Sequence, residues 1–252
     1  MKREYWNGLS EKYEDEIFSV LENDKRKLIC GLIVKYGSKS KTVNDFGCGI
    51  GHIVGVLAKK FQQVTAIDIS YKFIARAKKR YRHLSNINYT VADLAGDGLE
   101  IPKTDFGMSV NLLIMPCHSV RLKIFNTMIK HIKKNGHLLL VVPSIESVML
   151  TNYRLAQWNL RDGIEPAKAY SENFCESGKY SKNLRHGIVP IDGVPTKHYL
   201  KEELEEMMAA GKMKILDMQK IEYKWDTEFA IPPRWMKKPY PWDWLVFAQK
   251  KS

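Results

Sequence analysis

Long apolar runs are absent from this chain of 252 residues, and none approaches the length needed to cross a bilayer. The start, Met1-Lys2-Arg3-Glu4-Tyr5-Trp6, runs into Glu11-Lys12-Tyr13-Glu14-Asp15-Glu16 without the apolar middle of a secretion signal, so a cytoplasmic protein with no membrane partner is expected. Cysteine is scarce as well. Cys30, Cys48, Cys117 and Cys175 lie far apart and never form the close pairs of zinc sites or redox motifs, which points to free thiols, a reducing compartment and no metal. Arsenic chemistry, which wants several thiolates on one atom, is set aside on the same ground. Internal repeats are missing too. What remains is ordinary globular material, 44% hydrophobic and 27% charged, enough at this length for one main domain with a substantial core.

The formal net charge of +12 would draw nucleic acid, acidic substrates or anionic surfaces. The charges are nevertheless dispersed. The densest group, Lys72, Arg76, Lys78, Lys79, Arg80 and Arg82, shares a helix with Phe73, Ile74, Ala77 and Tyr81, which reads as one solvated face opposite one buried face.

Ser10 is placed to cap a first helix carrying Tyr13, Ile17 and Leu21, and a second runs from Asp24 through Ile33 with Gly37 as a left-handed stop. From Thr42 onward strands and helices alternate. Strands are expected over Thr42 to Phe46, Val64 to Ile69, Ile87 to Ala92, Met108 to Ile114 and His137 to Val142, with amphipathic helices between them. Near-continuous apolar strands of this kind imply a parallel sheet covered on both faces, with ligands at the carboxyl ends of the strands. Between Ser144 and about Pro195 the periodicity is poor, as for an insertion over that edge. A helix stopped by Gly211 follows, then strands over Met213 to Trp225 and Trp244 to Ala248 with no helix between them, an antiparallel pair at one edge.

The turn Asp45-Phe46-Gly47-Cys48-Gly49-Ile50-Gly51 puts three glycines between a strand and a helix, where backbone must approach a ligand closely. A dinucleotide-binding turn would place its third glycine at position 52, which is His52 here. The carboxylate of Asp45 suits an ammonium or sulfonium better than a pyrophosphate. Asp68 at the second strand end is positioned to accept from both hydroxyls of a ribose, and Asp93 ends the third strand beside it.

Through Val43 to Gly51, Ala66-Ile67-Asp68-Ile69-Ser70, Ala92-Asp93-Leu94 and Val110-Asn111-Leu112-Leu113, the sequence resembles the Rossmann-like, class I S-adenosylmethionine-dependent methyltransferases. The likeness is good over about Thr42 to Pro143 and looser over Tyr199 to Lys250. It implies an α/β, doubly wound, mostly parallel sheet with an antiparallel C-terminal strand, a helical N-terminal extension and a lid-like insertion after the fifth strand. The expected organisation is a single domain, divided into an N-terminal helical segment (1–41), a cofactor-binding core (42–143), a substrate lid (144–198) and a C-terminal helix and strand pair (199–252). The resemblance assigns S-adenosylmethionine, leaving as S-adenosylhomocysteine, to Asp45, Gly47, Cys48, Gly49, Gly51, Asp68, Ile69, Asp93, Leu94 and Asn111, with the three glycines facing the methionine part, Asp68 the ribose, Asp93 the adenine amine and Asn111 the amino-acid moiety.

Methyl transfer from a sulfonium requires alignment and exclusion of water, with a base only when the nucleophile keeps its proton. His118, in Met115-Pro116-Cys117-His118 after the fourth strand, is the candidate base. Tyr13, Met115, Tyr153 and Trp158 are the candidate acceptor contacts, and Trp6 is a further aromatic placed to close over the cofactor. The insertion mixes Tyr153, Trp158, Tyr170, Phe174 and Tyr180 with Arg154, Arg161, Lys168, Arg185 and His186, which fits aromatic enclosure of a small acceptor with an arginine for any carboxylate it carries. The leading expectation is a methyl acceptor that is a small molecule reacting at oxygen, nitrogen or sulfur. An RNA (tRNA) acceptor engaged by stacking and phosphate contact is the alternative, and a non-catalytic S-adenosylmethionine-binding module a third.

Overall fold

The structure, a computed structural model, describes residues 3–10, 19–170 and 183–251. Ahead of the sheet come α1 (Arg3–Gly8), α2 (Val20–Asn23) and α3 (Leu28–Tyr36). Then β1 (Thr42–Phe46), α4 (Val54–Lys60), β2 (Gln63–Asp68), α5 (Tyr71–Arg80) and β3 (Ile87–Val91) alternate as expected. β4 (Thr104–Val110), α6 (His118–Lys130) and β5 (Ile132–Pro143) complete the parallel part. The remainder is α7 (Ile145–Arg161), α8 (Pro166–Ala169), a hairpin of β6 (Ile188–Ile191) and β7 (Val194–Lys197), α9 (Lys201–Ala210), β8 (Met213–Glu222) and β9 (Trp242–Lys250).

Seven strands form one sheet in the order β3-β2-β1-β4-β5-β9-β8. β1 to β5 are mutually parallel, and β9 runs antiparallel to both β5 and β8. The antiparallel terminal pair is therefore present, with the last strand of the chain inserted inside the edge. Register brings Phe46 opposite Ile67 and Asp68 opposite Val91, so the first three strand ends share one rim. Strand order reverses between β1 and β4, which opens a crevice at that rim.

The apolar strands are apolar because both faces are covered. Along β5, Leu139 and Val141 join a core with Ile29, Ile33, Leu57 and Phe61, whereas Leu138, Leu140 and Val142 join another with Ile124, Phe125, Leu204 and Met208. Ser70 caps α5 by accepting from the Phe73 N–H at 3.2 Å, and Phe73, Ile74 and Ala77 are buried while Lys78, Lys79, Arg80 and Arg82 face solvent.

Four local expectations are corrected. Gly37 is extended (φ −75°, ψ 148°) and not left-handed; glycine is required there because a Cβ would lie 2.5 Å from the Ile33 carbonyl oxygen. β4 spans Thr104–Val110, earlier than Met108 to Ile114, because Asn111 turns to φ 50° and the following apolar residues pack as a buried turn whose Leu113 carbonyl accepts from the Tyr199 hydroxyl at 2.7 Å. β5 begins at Ile132 and passes through Asn135 at φ 61° instead of starting after it. β8 stops at Glu222, and Trp225 enters a short helical turn with its indole N–H on the Lys237 carbonyl at 3.1 Å. The poorly periodic insertion holds α7, with Ser144 as cap to the Ser147 N–H at 3.1 Å. Cys175, Phe174, Tyr180, Tyr13 and the helix expected after Ser10 lie outside the described residues.

Candidate active site

The rim above β1 and β4 carries a cavity of about 1670 Å³. Its floor is the glycine turn. Gly47 and Gly49 take φ 75° and 53°, conformations that a side chain disfavours, and both line the cavity with Cys48 between them. The Gly47 and Cys48 N–H groups donate to the Ile67 carbonyl at 2.8 and 2.9 Å, locking the turn to β2. Gly51, at φ 86°, is not on the lining: a Cβ there would sit 3.1 Å from Ala77 Cβ, so this glycine serves the approach of α5.

Asp68 braces the turn with both oxygens. Oδ2 accepts from the Gly49 N–H at 2.9 Å and Oδ1 from the Ser70 N–H at 2.8 Å. Burial nevertheless lifts its carboxyl to about 6, with those N–H bonds opposing the rise. Asp45, only 2% exposed, is lifted to about 7 by burial and by the neighbouring Asp68, and its Oδ2 has no hydrogen-bond partner. Asp93 is exposed at the mouth and its Oδ1 accepts from the Ala95 N–H at 2.9 Å, while Leu94 is buried beside it. Asn111 anchors its N–H on the Val141 carbonyl at 3.0 Å and leaves its Oδ1 unpartnered. Asp45, Cys48, Asp68, Ile69, Asp93, Leu94 and Asn111 thus meet on one cavity wall.

The N-terminal segment closes one side. Asn7 Oδ1 accepts from the Ser70 hydroxyl at 2.7 Å, the Arg76 guanidinium donates to the Ser10 carbonyl, and Trp6 lines the cavity with its ring edge toward Phe73 at 6.3 Å between centroids. The opposite side is α7 and the β6–β7 hairpin, which contribute Ser147, Val148, Thr151, Val189 and Val194.

Other candidates are not brought there. His118 is exposed at the first position of α6, off the lining, because the chain turns at Asn111 and carries 117–119 to the surface. Met115 from the same segment is buried on the lining, held where the Arg121 guanidinium donates to its carbonyl at 2.5 Å. Tyr153 is 51% exposed and accepts from the Gln157 amide at 3.0 Å. Trp158 meets Phe229 edge-on at 5.8 Å, Arg161 lies 3.9 Å over the Trp235 ring and Arg154 donates to the Lys238 carbonyl at 3.2 Å. The aromatic and basic residues of α7 therefore hold the 226–241 connection and do not enclose the cavity.

Residues without a spacing pattern supply the far wall. The Tyr223 hydroxyl donates to Asp243 Oδ2 at 2.8 Å, and Asn111 donates to the same carboxylate. Burial raises Asp243 to about 6, raises Glu228 beside it, and depresses the nearby His198 to about 4, so that His198 is a neutral imidazole whose Nδ1 faces the Thr196 carbonyl at 3.0 Å. One sequence signal for Asp243 existed: a carboxylate between Trp242 and Trp244 in an otherwise apolar strand.

Gly47→Ala is expected to destabilise the protein by roughly 2 kcal/mol, because positive φ disfavours a side chain and the new Cβ would meet Leu112. That Leu112 Cδ1 contact would be 2.9 Å. Thermal unfolding should show a fall of about 4–8 °C. His118→Ala should leave turnover near wild type, since an exposed side chain off the cavity has no substrate to reach; a large loss in a steady-state assay would return it to the site.

Comparison with known proteins agrees with this fold. A family profile described as a methyltransferase domain matches residues 43–136. The chain is 38% identical over 76 residues to phosphoethanolamine N-methyltransferase 1 of Caenorhabditis elegans, covering 30% of this chain and 16% of that protein. It is 29% identical over 120 residues to the phosphoethanolamine N-methyltransferase of Triticum aestivum, covering 47% and 23%. These alignments span less than a quarter of the relatives' own lengths. Among solved structures, a SAM-dependent methyltransferase from Methanosarcina mazei superposes with a TM-score of 0.61 at 19% identity, over 87% of this chain and 97% of that one. The N-methyltransferase NodS from Bradyrhizobium japonicum, in complex with S-adenosylhomocysteine, gives 0.61 at 11% identity over 98% and 99%. At such identities the likeness is one of fold.

Proposed function

We propose, for a chain that belongs to the class I, Rossmann-like S-adenosylmethionine-dependent methyltransferases, that it transfers a methyl group to a nitrogen, oxygen or sulfur atom of a small molecule. The observation that carries this reading is a single cavity running from the glycine turn and strand-end carboxylates to the Tyr223–Asp243 wall, with room for a cofactor and an acceptor side by side. When bound, S-adenosylmethionine supplies an electrophilic methyl group on a cationic sulfur. The residues present fit it. Gly47 and Gly49 permit close approach to the methionine part, and the unpartnered Oδ2 of Asp45 and Oδ1 of Asn111 offer acceptors to an ammonium. Asp68 is assigned to the ribose hydroxyls, Ile69, Asp93 and Leu94 to the adenine region.

The protein's own work is then alignment and drying. Residues 42–143 hold the cofactor, 199–251 complete the sheet, and 144–170 with 183–198 act as a cap, with Val148, Thr151 and Val189 keeping water from the reacting atoms. Among the described residues no helix is long and apolar enough to cross a membrane, and we place the enzyme in the cytoplasm. RNA ranks behind a small acceptor because the basic face of α5 is solvent-exposed surface, whereas the cavity wall is acidic.

Calorimetry with S-adenosylmethionine, S-adenosylhomocysteine and NAD tests the premise; NAD binding without response to the other two would sink it. Labelled methyl transfer into a metabolite extract, bulk tRNA and bulk protein then sorts the acceptors. Label in metabolites supports the proposal, label mainly in RNA overturns its acceptor, and no transfer at all favours a non-catalytic binding module.

A further inference from the structure

The chain is strongly basic, yet its cavity is not. Besides Asp45, Asp68 and Asp93 on the cofactor side, the lining includes Asp192, Glu228 and Asp243, and among the described residues it has no lysine and a single arginine, Arg3, exposed on α1 beside Glu4. A carboxylate-rich, partly buried wall in a protein of net charge +12 stabilises a cation far better than an anion.

One observation independent of the acidic residues marks this cavity as a ligand seat. Trp242, 7% exposed and on the lining next to Asp243, has an indole N–H without a partner. Buried polar atoms are ordinarily paired, so an unpaired indole N–H lining a cavity awaits an acceptor atom of a ligand. The Tyr223 hydroxyl, committed to Asp243 Oδ2, fixes the direction of that carboxylate.

We infer that the methyl acceptor is an alkyl amine, bound as its ammonium by Asp243 and Glu228 with Tyr223 as the positioning residue, and that a phosphorylated acceptor is disfavoured by the same wall. This rests on the methyltransferase reading above. The amine must be small enough to share about 1670 Å³ with the cofactor. A carboxylate of this wall takes the ammonium proton, and the freed nitrogen lone pair then forms the N–CH3 bond as the S–CH3 bond of S-adenosylmethionine breaks, its electron pair leaving on sulfur as S-adenosylhomocysteine.

The test measures binding. S-adenosylhomocysteine is titrated first; failure to bind overturns the methyltransferase reading and this inference with it. Into the saturated protein go phenethylamine, the matched alcohol 2-phenylethanol and the matched acid 3-phenylpropanoate, with ethanolamine and phosphoethanolamine as a second pair. The amines should bind at least about tenfold more tightly than their neutral, acidic or phosphorylated counterparts. Asp243→Asn with Glu228→Gln should erase that preference while S-adenosylhomocysteine still binds. Glu228→Gln alone, which leaves the Tyr223–Asp243 bond in place, should reduce it part-way, and Glu202→Gln on exposed α9 should not change it. The inference is overturned if acid or phosphate probes bind as well as the amines. It is also overturned if the double variant keeps the preference, or if no amine binds to protein that holds S-adenosylhomocysteine.

Discussion

Asp68→Ala is expected to raise the dissociation constant for S-adenosylmethionine by about 100-fold. A carboxylate has about four lone-pair sites, and the Gly49 and Ser70 N–H groups take one on each oxygen. The remaining two are enough for the ribose hydroxyls. Two hydrogen bonds to a charged acceptor, at about 1.5 kcal/mol each, come to about 3 kcal/mol, or roughly two powers of ten in affinity. The alanine also frees the Gly49 N–H and loosens the turn. Asp68→Asn separates the two effects: it keeps the volume and one acceptor, so the loss should shrink to about tenfold. Calorimetry at fixed ionic strength reads both, and wild-type affinity in the alanine variant would move the ribose elsewhere.

The cavity wall proposed for the cofactor was legible in the sequence for a physical reason. Each of its residues sits at or next to a strand end within one hundred residues of continuous strand-helix alternation, where position along the chain maps directly onto position along the rim. Asp45, Asp68 and Asp93 follow that rule, and Gly47 and Gly49 stand in the turn that needs positive φ. Gly51 shows the limit of the pattern, because its φ serves packing against Ala77. The acceptor side follows no such rule. Tyr223, Glu228 and Asp243 come together only because β9 inserts antiparallel between β5 and β8, and His198 because the hairpin folds back over the rim. No spacing records those events. The aromatic residues of α7 misled for the complementary reason: Trp158 and Arg161 have partners in 226–241, a stretch whose course the sequence left open.

The largest stability effect expected is with pH. Asp45, Asp68 and Asp243 ionise in the folded protein at about 7, 6 and 6, against 3.8 for an ordinary aspartate, so between these limits the folded state binds more protons than the unfolded one. Stability contributed by the three is therefore full below pH 4 and is lost as pH rises toward 7. His198, held at about 4 instead of 6.5, works the other way, adding stability as pH rises through that window and nothing beyond it. From pH 5 to 8 the carboxylates outweigh the histidine, and a net loss of about 3 kcal/mol is expected, or about 6–12 °C in thermal midpoint. The sign reverses the usual benefit of ionised carboxylates because burial penalises the charged form of all three, with Asp68 adding to the rise at Asp45 and Glu228 to that at Asp243. A cationic ligand relieves the strain, so the rise in midpoint on saturation with S-adenosylmethionine should be larger at pH 8 than at pH 5. S-adenosylhomocysteine, whose sulfur is neutral, should show less of that difference. Asp45→Asn should flatten the decline in the free protein most, since Asp45 has the highest of the three values. A midpoint that climbs from pH 5 to 8 without ligand would show that the cavity already holds its own counter-charge.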